Sequence, residues 1–262
     1  MISNVVLIGS GKLATQLGLC LAKTGYNIRQ VYSRTIENAQ ELAERLNAYA
    51  TDSFNEIQED ADIYIIAVAD SVLHTTIESL PKVKGIVVHT AGAMSVDLLI
   101  RFDQYGIFYP FQTFSKERDV DFKNIPVLIE ACNEDVDLKL KSFASKISKT
   151  VKTCDSNQRQ QIHLAAVFAC NFTNHMYAIA EDILQENDVS FDVIKPIIME
   201  TAHKTDYLSP VKAQTGPAVR GDKNVIKKHL EMLDNDDELS VLYSKITSRI
   251  AKLQSGKIKI QD

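Results

Sequence analysis

Two hydrophobic rhythms alternate through the first part of the chain. Short apolar runs rich in β-branched residues, Asn4 to Gly9, Asn27 to Ser33, Ile63 to Val68, Gly85 to His89, Ile107 to Pro110, Ile125 to Ala131 and Thr150 to Cys154, read as strands. Between them, Lys12 to Lys23, Ile36 to Leu46, Val72 to Ser79, Ser95 to Phe102 and Glu134 to Ser148 place apolar residues three and four apart, the spacing of one helix face. Strands that alternate with helices build βαβ units, so the pattern predicts an α/β fold with a doubly wound, mostly parallel sheet. After Asp155 the strand rhythm stops. Ser156 to Glu186 is one long, largely apolar helical pattern, and Phe191 to Tyr207, Asp222 to Leu233 and Glu238 to Leu253 follow it as helices. That change of period divides the chain into a sheet domain over residues 1–154 and an all-α domain over 155–262.

The first junction carries the first chemistry. Gly9-Ser10-Gly11-Lys12-Leu13-Ala14 fits G-x-G-x-x-G/A between an apolar strand and an amphipathic helix, the context in which the motif binds a dinucleotide. The first glycine makes a tight turn, the second lets a pyrophosphate approach the backbone, and a small third residue lets helix and strand close up. The phosphates then meet the free N–H groups and positive end of the helix. A plain strand-to-helix turn is the competing reading. At the end of the second strand an NAD site supplies an acid for the ribose hydroxyls. This chain has Ser33-Arg34-Thr35 instead, two hydroxyls and a planar fork of donors suited to a 2′-phosphate, which favours NADP over NAD. A solvated arginine beside a helix N-cap is the alternative at that position.

The N-terminal half resembles the NADP-binding domain shared by pyrroline-5-carboxylate reductase, the deazaflavin-dependent NADP reductases and the β-hydroxyacid dehydrogenases. "SRT" after the second strand and "AVADSV", Ala67 to Val72, look like their coenzyme-contacting loops, which implicates Ala67, Val68 and Ala69. "HTAGAMSVDLL" from His89, "FYPFQTF" from Phe108, "HLAAVFACNF" from His163 and "TGPAVRGD" from Thr215 resemble the blocks of one bacterial family of NADP oxidoreductases. Its members join a Rossmann-type domain to a helical domain of unassigned function, and the resemblance spans nearly the whole chain. The family implies no substrate. Where relatives often have a histidine before the proline of the second block, this chain has Tyr109.

In open α/β sheets the ligand lies beyond the carboxyl ends of the strands. His89-Thr90-Ala91-Gly92 and Tyr109-Pro110-Phe111-Gln112 follow strands and are expected there, with Thr90 near the nicotinamide and Tyr109 near the substrate. An oxidoreductase that moves a hydride needs a donor beside the acceptor. His163, Asn171 and His175 lie on the long helical pattern eight and four residues apart, a slanting stripe of about 120° at 100° per residue. The resemblance favours His163 and Asn171 as catalytic, with His175 toward the substrate. A core histidine satisfied by its neighbours is the competing reading for each. Thr215 to Asp222 reads as a non-helical loop in which Arg220 clamps an anionic substrate or a coenzyme phosphate, or is simply exposed.

Composition narrows the partners. The net charge of −5 and the absence of a basic run argue against nucleic acid, and no apolar stretch is long enough for a bilayer. The chain starts in a strand pattern with no charged leader, which reads as cytoplasmic. Cys20, Cys132, Cys154 and Cys170 are scattered, and the His, Cys and Asp residues show no metal-ligand spacing. The sequence thus predicts an enzyme that transfers a hydride between NADP(H) and a small carbonyl or imine compound in the cleft between two domains. The long apolar helix predicts a homodimer through the helical domain. A non-catalytic NADP-binding module that senses redox state through a protein partner is the alternative.

Overall fold

The computed structural model describes residues 2–115 and 120–256. It forms two compact units, Met1–Thr173 and Asn174–Asp262. The first is built on one eight-stranded sheet of β1 (Asn4–Ile8), β2 (Asn27–Tyr32), β3 (Tyr49–Thr51), β4 (Ile63–Ile66), β5 (Ile86–His89), β6 (Tyr105–Pro110), β7 (Val127–Ala131) and β8 (Val151–Thr153). Their order is β3-β2-β1-β4-β5-β6-β7-β8, and every neighbouring pair is parallel except β6 with β7. The direction of winding reverses between β1 and β4, which opens the crevice where ligands bind in such sheets.

The central strands are sealed on both faces because consecutive side chains point to opposite sides. Val5, Leu7, Ile63, Ile65 and Val88 pack with helices α1 (Lys12–Lys23), α2 (Ile36–Leu46) and α4 (Glu134–Ser145) on one side. Val6, Ile8, Tyr64, Ile66 and Val87 pack with Leu73 and Ile77 of α3 (Asp70–Ser79) on the other. Gly18 sets how closely α1 approaches, since a Cβ there would lie 2.8 Å from a Leu7 methyl and 2.9 Å from one of Leu46.

Several expectations need correction. The three-residue β3 was not read at all, being too short to show a period. Ser95 to Phe102 is not an α-helix but a single 3₁₀ turn, Val96–Leu99, capped by Ser95. β7 runs antiparallel to β6: among the described residues between them the regular element is a 3₁₀ turn, Phe122–Asn124, in place of the helix that usually carries a parallel crossover. The long helical pattern is continuous but not uniform: α5 (Ser156–Ala166) passes through a π-helical turn, Val167–Phe172, into α6 (Thr173–Gln185). The Thr173 hydroxyl donates to the Phe168 carbonyl five residues back, which fits the widened turn. Strands give way to helices between Thr153 and Ser156, whereas the compact units divide at Thr173 and Asn174, because α5 is anchored to the sheet.

The second unit takes in α6 from Asn174 with α7 (Lys195–His203), α8 (Pro210–Ala213), α9 (Pro217–Arg220), α10 (Lys223–Met232) and α11 (Asp237–Gln254). Asp222 and Asp236 cap α10 and α11 through the N–H groups of Val225 and Leu239. The expected loop at Thr215 to Asp222 contains the helical turn α9. Pro217 sets the φ of its first residue, and Gly221 ends it at a φ of 68°. None of the described residues of this unit is buried. Among the described residues no helix is long and apolar enough to cross a membrane.

Candidate coenzyme and active site

The turn from β1 to α1 is shaped by Gly9. Its φ is 119°, its N–H donates to the Tyr32 carbonyl at 2.8 Å, and a Cβ would lie 2.3 Å from the Ala67 carbonyl oxygen. Only glycine fits there. Gly11, the N-cap of α1, has an ordinary φ of −71°, and a Cβ on it would meet nothing within 4 Å. Its lack of a side chain therefore serves no packing need of the protein; it keeps the end of α1 open. Ala14 is sealed against the sheet.

A cavity of about 580 Å³ opens at this end of the sheet, lined by Gly9, Ser10, Gly11, Ser33, Arg34, Thr35, Ala67, Val68 and Ala69. Arg34 is the one charged side chain among its described lining residues. The Ser10 hydroxyl donates to that of Ser33 at 2.9 Å, which links the glycine turn to the end of β2. Thr35 occupies the N-cap of α2 with its hydroxyl in no capping bond. Tyr32 and Phe54, stacked 4.1 Å apart, and Asn38 also line the cavity; nothing in their local pattern marked them. Lys12 is exposed and Leu13 half-buried in the first turn of α1, and neither lines the cavity. Thr90 does not either: it is buried, with its hydroxyl on the Ile66 carbonyl at 3.3 Å.

Beyond β5 and β6 a second arrangement forms. His89 ends β5 fully buried. Its Nδ1 accepts from the Ala91 N–H at 3.2 Å, so its Nε2 must donate to the Ser95 carbonyl, also at 3.2 Å. The Nδ1 bond requires the neutral ring, and burial together with the nearby Arg159 charge pushes its pKa down to about 4, against the Ser95 bond, which favours the charged form. His89 thus holds the loop after β5 in place. Gly92 of that loop lies under two side chains: a Cβ would be 2.6 Å from His163 Nδ1 and 2.8 Å from the Tyr109 hydroxyl. Tyr109, from β6, and His163, from α5, are hydrogen-bonded through those atoms at 3.1 Å. Burial raises the Tyr109 hydroxyl pKa and so does Asp70, with Arg159 working the other way.

The structure therefore brings two predicted residues together, Tyr109 and His163. Asn171 is exposed and sits in the π-helical turn. A regular helix would leave it about 80° around from His163; the one extra residue of a π-bulge brings that to about 20°. The drift expected from a uniform helix is thus largely removed for this pair. His175 and Arg220 belong to the helical unit. His175 lines a cavity there of about 600 Å³ with Asp182, Glu186, Asp236 and Glu238, and Arg220 is exposed on α9. Among the described residues no group of three or more His, Cys, Asp or Glu side chains is arranged to hold a metal ion.

Sequence reasoning missed Arg159. It is fully buried on α5, ion-paired to Glu130 of β7, and donates to the Met94 carbonyl and to the Ser156 hydroxyl oxygen at 3.1 Å. No local signal marked it, since it stands one helical turn before His163 among the polar residues Asn157, Gln158, Gln160 and Gln161.

Residues 4–92 match the family described as "NADP oxidoreductase coenzyme F420-dependent", and residues 125–250 match a domain of unknown function, DUF2520. A solved protein of Bacteroides fragilis, assigned as an NADP oxidoreductase, is 45% identical over 96% of this chain and 99% of its own, with a TM-score of 0.89. A Thermotoga maritima protein, 21% identical over 97% of this chain and 99% of its own, shares the fold with a TM-score of 0.73. So does the reductive aminase of Aspergillus terreus, solved with NADPH and ethyl-5-oxohexanoate, at 14% identity over 95% and 88% of the two chains and a TM-score of 0.67. No curated protein matches the chain.

Proposed function

The chain belongs to the family of NADP oxidoreductases that join a Rossmann sheet to a helical domain, and on that premise we propose that it transfers a hydride between NADP(H) and a small carbonyl or imine compound. The observation that carries the coenzyme is the glycine-framed cavity whose one charged described lining residue is Arg34. Gly9, Ser10, Gly11, Lys12 and Leu13 would hold the pyrophosphate at the end of α1, where unpaired N–H groups attract it. Ser33, Arg34 and Thr35 would take the 2′-phosphate, with the guanidinium fork as the selective element. Ala67, Val68, Ala69 and Thr90 would lie along the rest of the coenzyme. When bound, NADPH supplies the hydride.

The remaining requirement is a proton for the oxygen or nitrogen of the acceptor. Tyr109 and His163 form a hydrogen-bonded pair at the carboxyl end of β6, and either group can release a proton while the other steadies it. A phenol whose pKa is raised by burial stays protonated at neutral pH and ready to donate. In this reading Asn171 serves with His163, and His175 and Arg220 contact the substrate. Residues 1–154 are the coenzyme domain and 155–262 the substrate and dimerisation domain. A homodimer through the helical domain is supported by apolar side chains left in water, Val193, Ile197, Met199 and Val241 among them, each more than half exposed.

Fluorescence titration with NADPH and NADH, followed by coenzyme oxidation across a panel of imines and keto acids, tests the reading. Arg34→Asp is expected to weaken NADPH about 100-fold while NADH changes less than about twofold. Tyr109→Phe is expected to lower kcat about 100-fold. No affinity for either coenzyme would remove the proposal, and binding without turnover would favour the redox-sensing module.

A further inference from the structure

We infer that Arg159 is a positioning residue that sets His163 against Tyr109, an inference that rests on the catalytic reading of that pair. A fully buried guanidinium is costly unless its donors are engaged; here both terminal nitrogens are engaged, by three segments of the sheet unit, while Nε is left without a hydrogen-bond partner. Glu130 belongs to β7, Met94 to the loop after β5, and Ser156 to the first turn of α5. These contacts reinforce one another: the Ser156 hydroxyl donates to Glu130 at 2.8 Å and accepts from the Val96 N–H at 3.1 Å.

The same pieces surround the pair. β7 lies against β6 with Leu128 opposite Tyr109, so Glu130 marks the strand next to the phenol. Met94 is two residues from Gly92, on which both rings rest. His163 follows Arg159 by four residues, which on a helix is one turn along and about 40° around. Holding the guanidinium to β7 and to the loop therefore fixes both the rotation of α5 about its axis and its height above Gly92. The 3.1 Å spacing between the Tyr109 hydroxyl and His163 Nδ1 depends on both quantities. A lysine, whose three donors share one nitrogen on a flexible stem, cannot span Glu130 and Met94 as the two terminal nitrogens of the planar fork do.

Imidazole NMR of the full-length protein tests this, with the His163 signal assigned by its loss in His163→Gln. Tyr109→Phe sets the position of that signal when the hydrogen bond is broken. The variants are Arg159→Lys and the double change Arg159→Met with Glu130→Gln, which removes both charges so that neither is left alone. Each is expected to move the His163 signal toward the Tyr109→Phe position while NADPH affinity stays within threefold of the parent. A role limited to stability would leave the signal of the folded protein where it was, and that result overturns the inference. Arg159→Lys decides the question if the double variant fails to fold. If Tyr109→Phe itself leaves the His163 signal unmoved, the pair is not formed and the catalytic reading fails. A signal that answers to Tyr109→Phe but to neither Arg159 variant overturns only the positioning role.

Discussion

Along β1, β4 and β5 side chains such as Val5 and Ile63 on one face of the sheet and Val6 and Tyr64 on the other are sealed from water, whereas from Asn174 to the end of α11 none of the described residues is buried. Both regions are rich in apolar residues, so composition does not separate them. The sheet unit closes a core from its own elements, two apolar layers with a strand layer between them. The helical unit instead presents Ile197, Met199, Met232 and Val241 to solvent. Helices gain most of their stability from packing an apolar face, so a unit of this kind is short of partner surface. A second copy of the chain is the partner we propose, with the sheet unit free to hold coenzyme on its own scaffold.

The largest effect is expected where the two regions differ most. Replacing a solvated isoleucine by glutamate changes stability little, but burying a charge in an apolar interface is severe. Ile197→Glu is expected to weaken self-association at least about 100-fold in sedimentation experiments, since burial of one such side chain is worth about 2 kcal/mol and occurs twice in a symmetric dimer. A parent protein that sediments as a monomer at micromolar concentration would break the comparison at its root.

Acid acts on the sheet unit through His89. Its pKa is about 4 in the folded protein and 6.5 when exposed, so between those values the unfolded chain binds more protons. Stability is therefore complete above about pH 6.5 and falls as pH drops toward 4, by about 3 kcal/mol in total. Denaturant titrations at pH 7 and pH 4.5 check this, and His89→Asn should flatten most of the slope that His89 contributes.

The two glycines of the β1–α1 turn sharpen the picture at smaller magnitude. Gly9→Ala meets the Ala67 carbonyl and an unfavourable φ, and is expected to destabilise the sheet unit by about 2 kcal/mol in thermal or denaturant unfolding. Gly11→Ala meets nothing and should leave stability within about 0.5 kcal/mol, while NADPH affinity falls about tenfold because the methyl takes the space of the pyrophosphate. Equal effects of the two changes on stability and on binding would contradict the separate roles assigned to them.

Much of the site was legible before the fold was known, and unevenly so. The Gly9 to Ala14 motif and Ser33-Arg34-Thr35 lie on contiguous chain, and the cavity gathers them because one βα turn and the end of the next strand adjoin in any such unit. Tyr109 and His163 were both candidates, but their hydrogen bond joins residues 54 apart. Glu130 and Arg159, 29 apart, gave no local sign of pairing. His89 looked like a pocket residue and is instead a buried brace for its own loop.

Local rules were thus enough for the alternation of strands and helices, the coenzyme turn and its missing acid, because a period, a glycine or a cap acts within a few residues of itself. Tertiary structure alone decided that β7 runs backward, that a widened turn nearly aligns Asn171 with His163, and that one guanidinium ties three segments beneath the proposed active pair. Those outcomes depend on which distant surfaces share the same space, and a chain read in one dimension carries no measure of that.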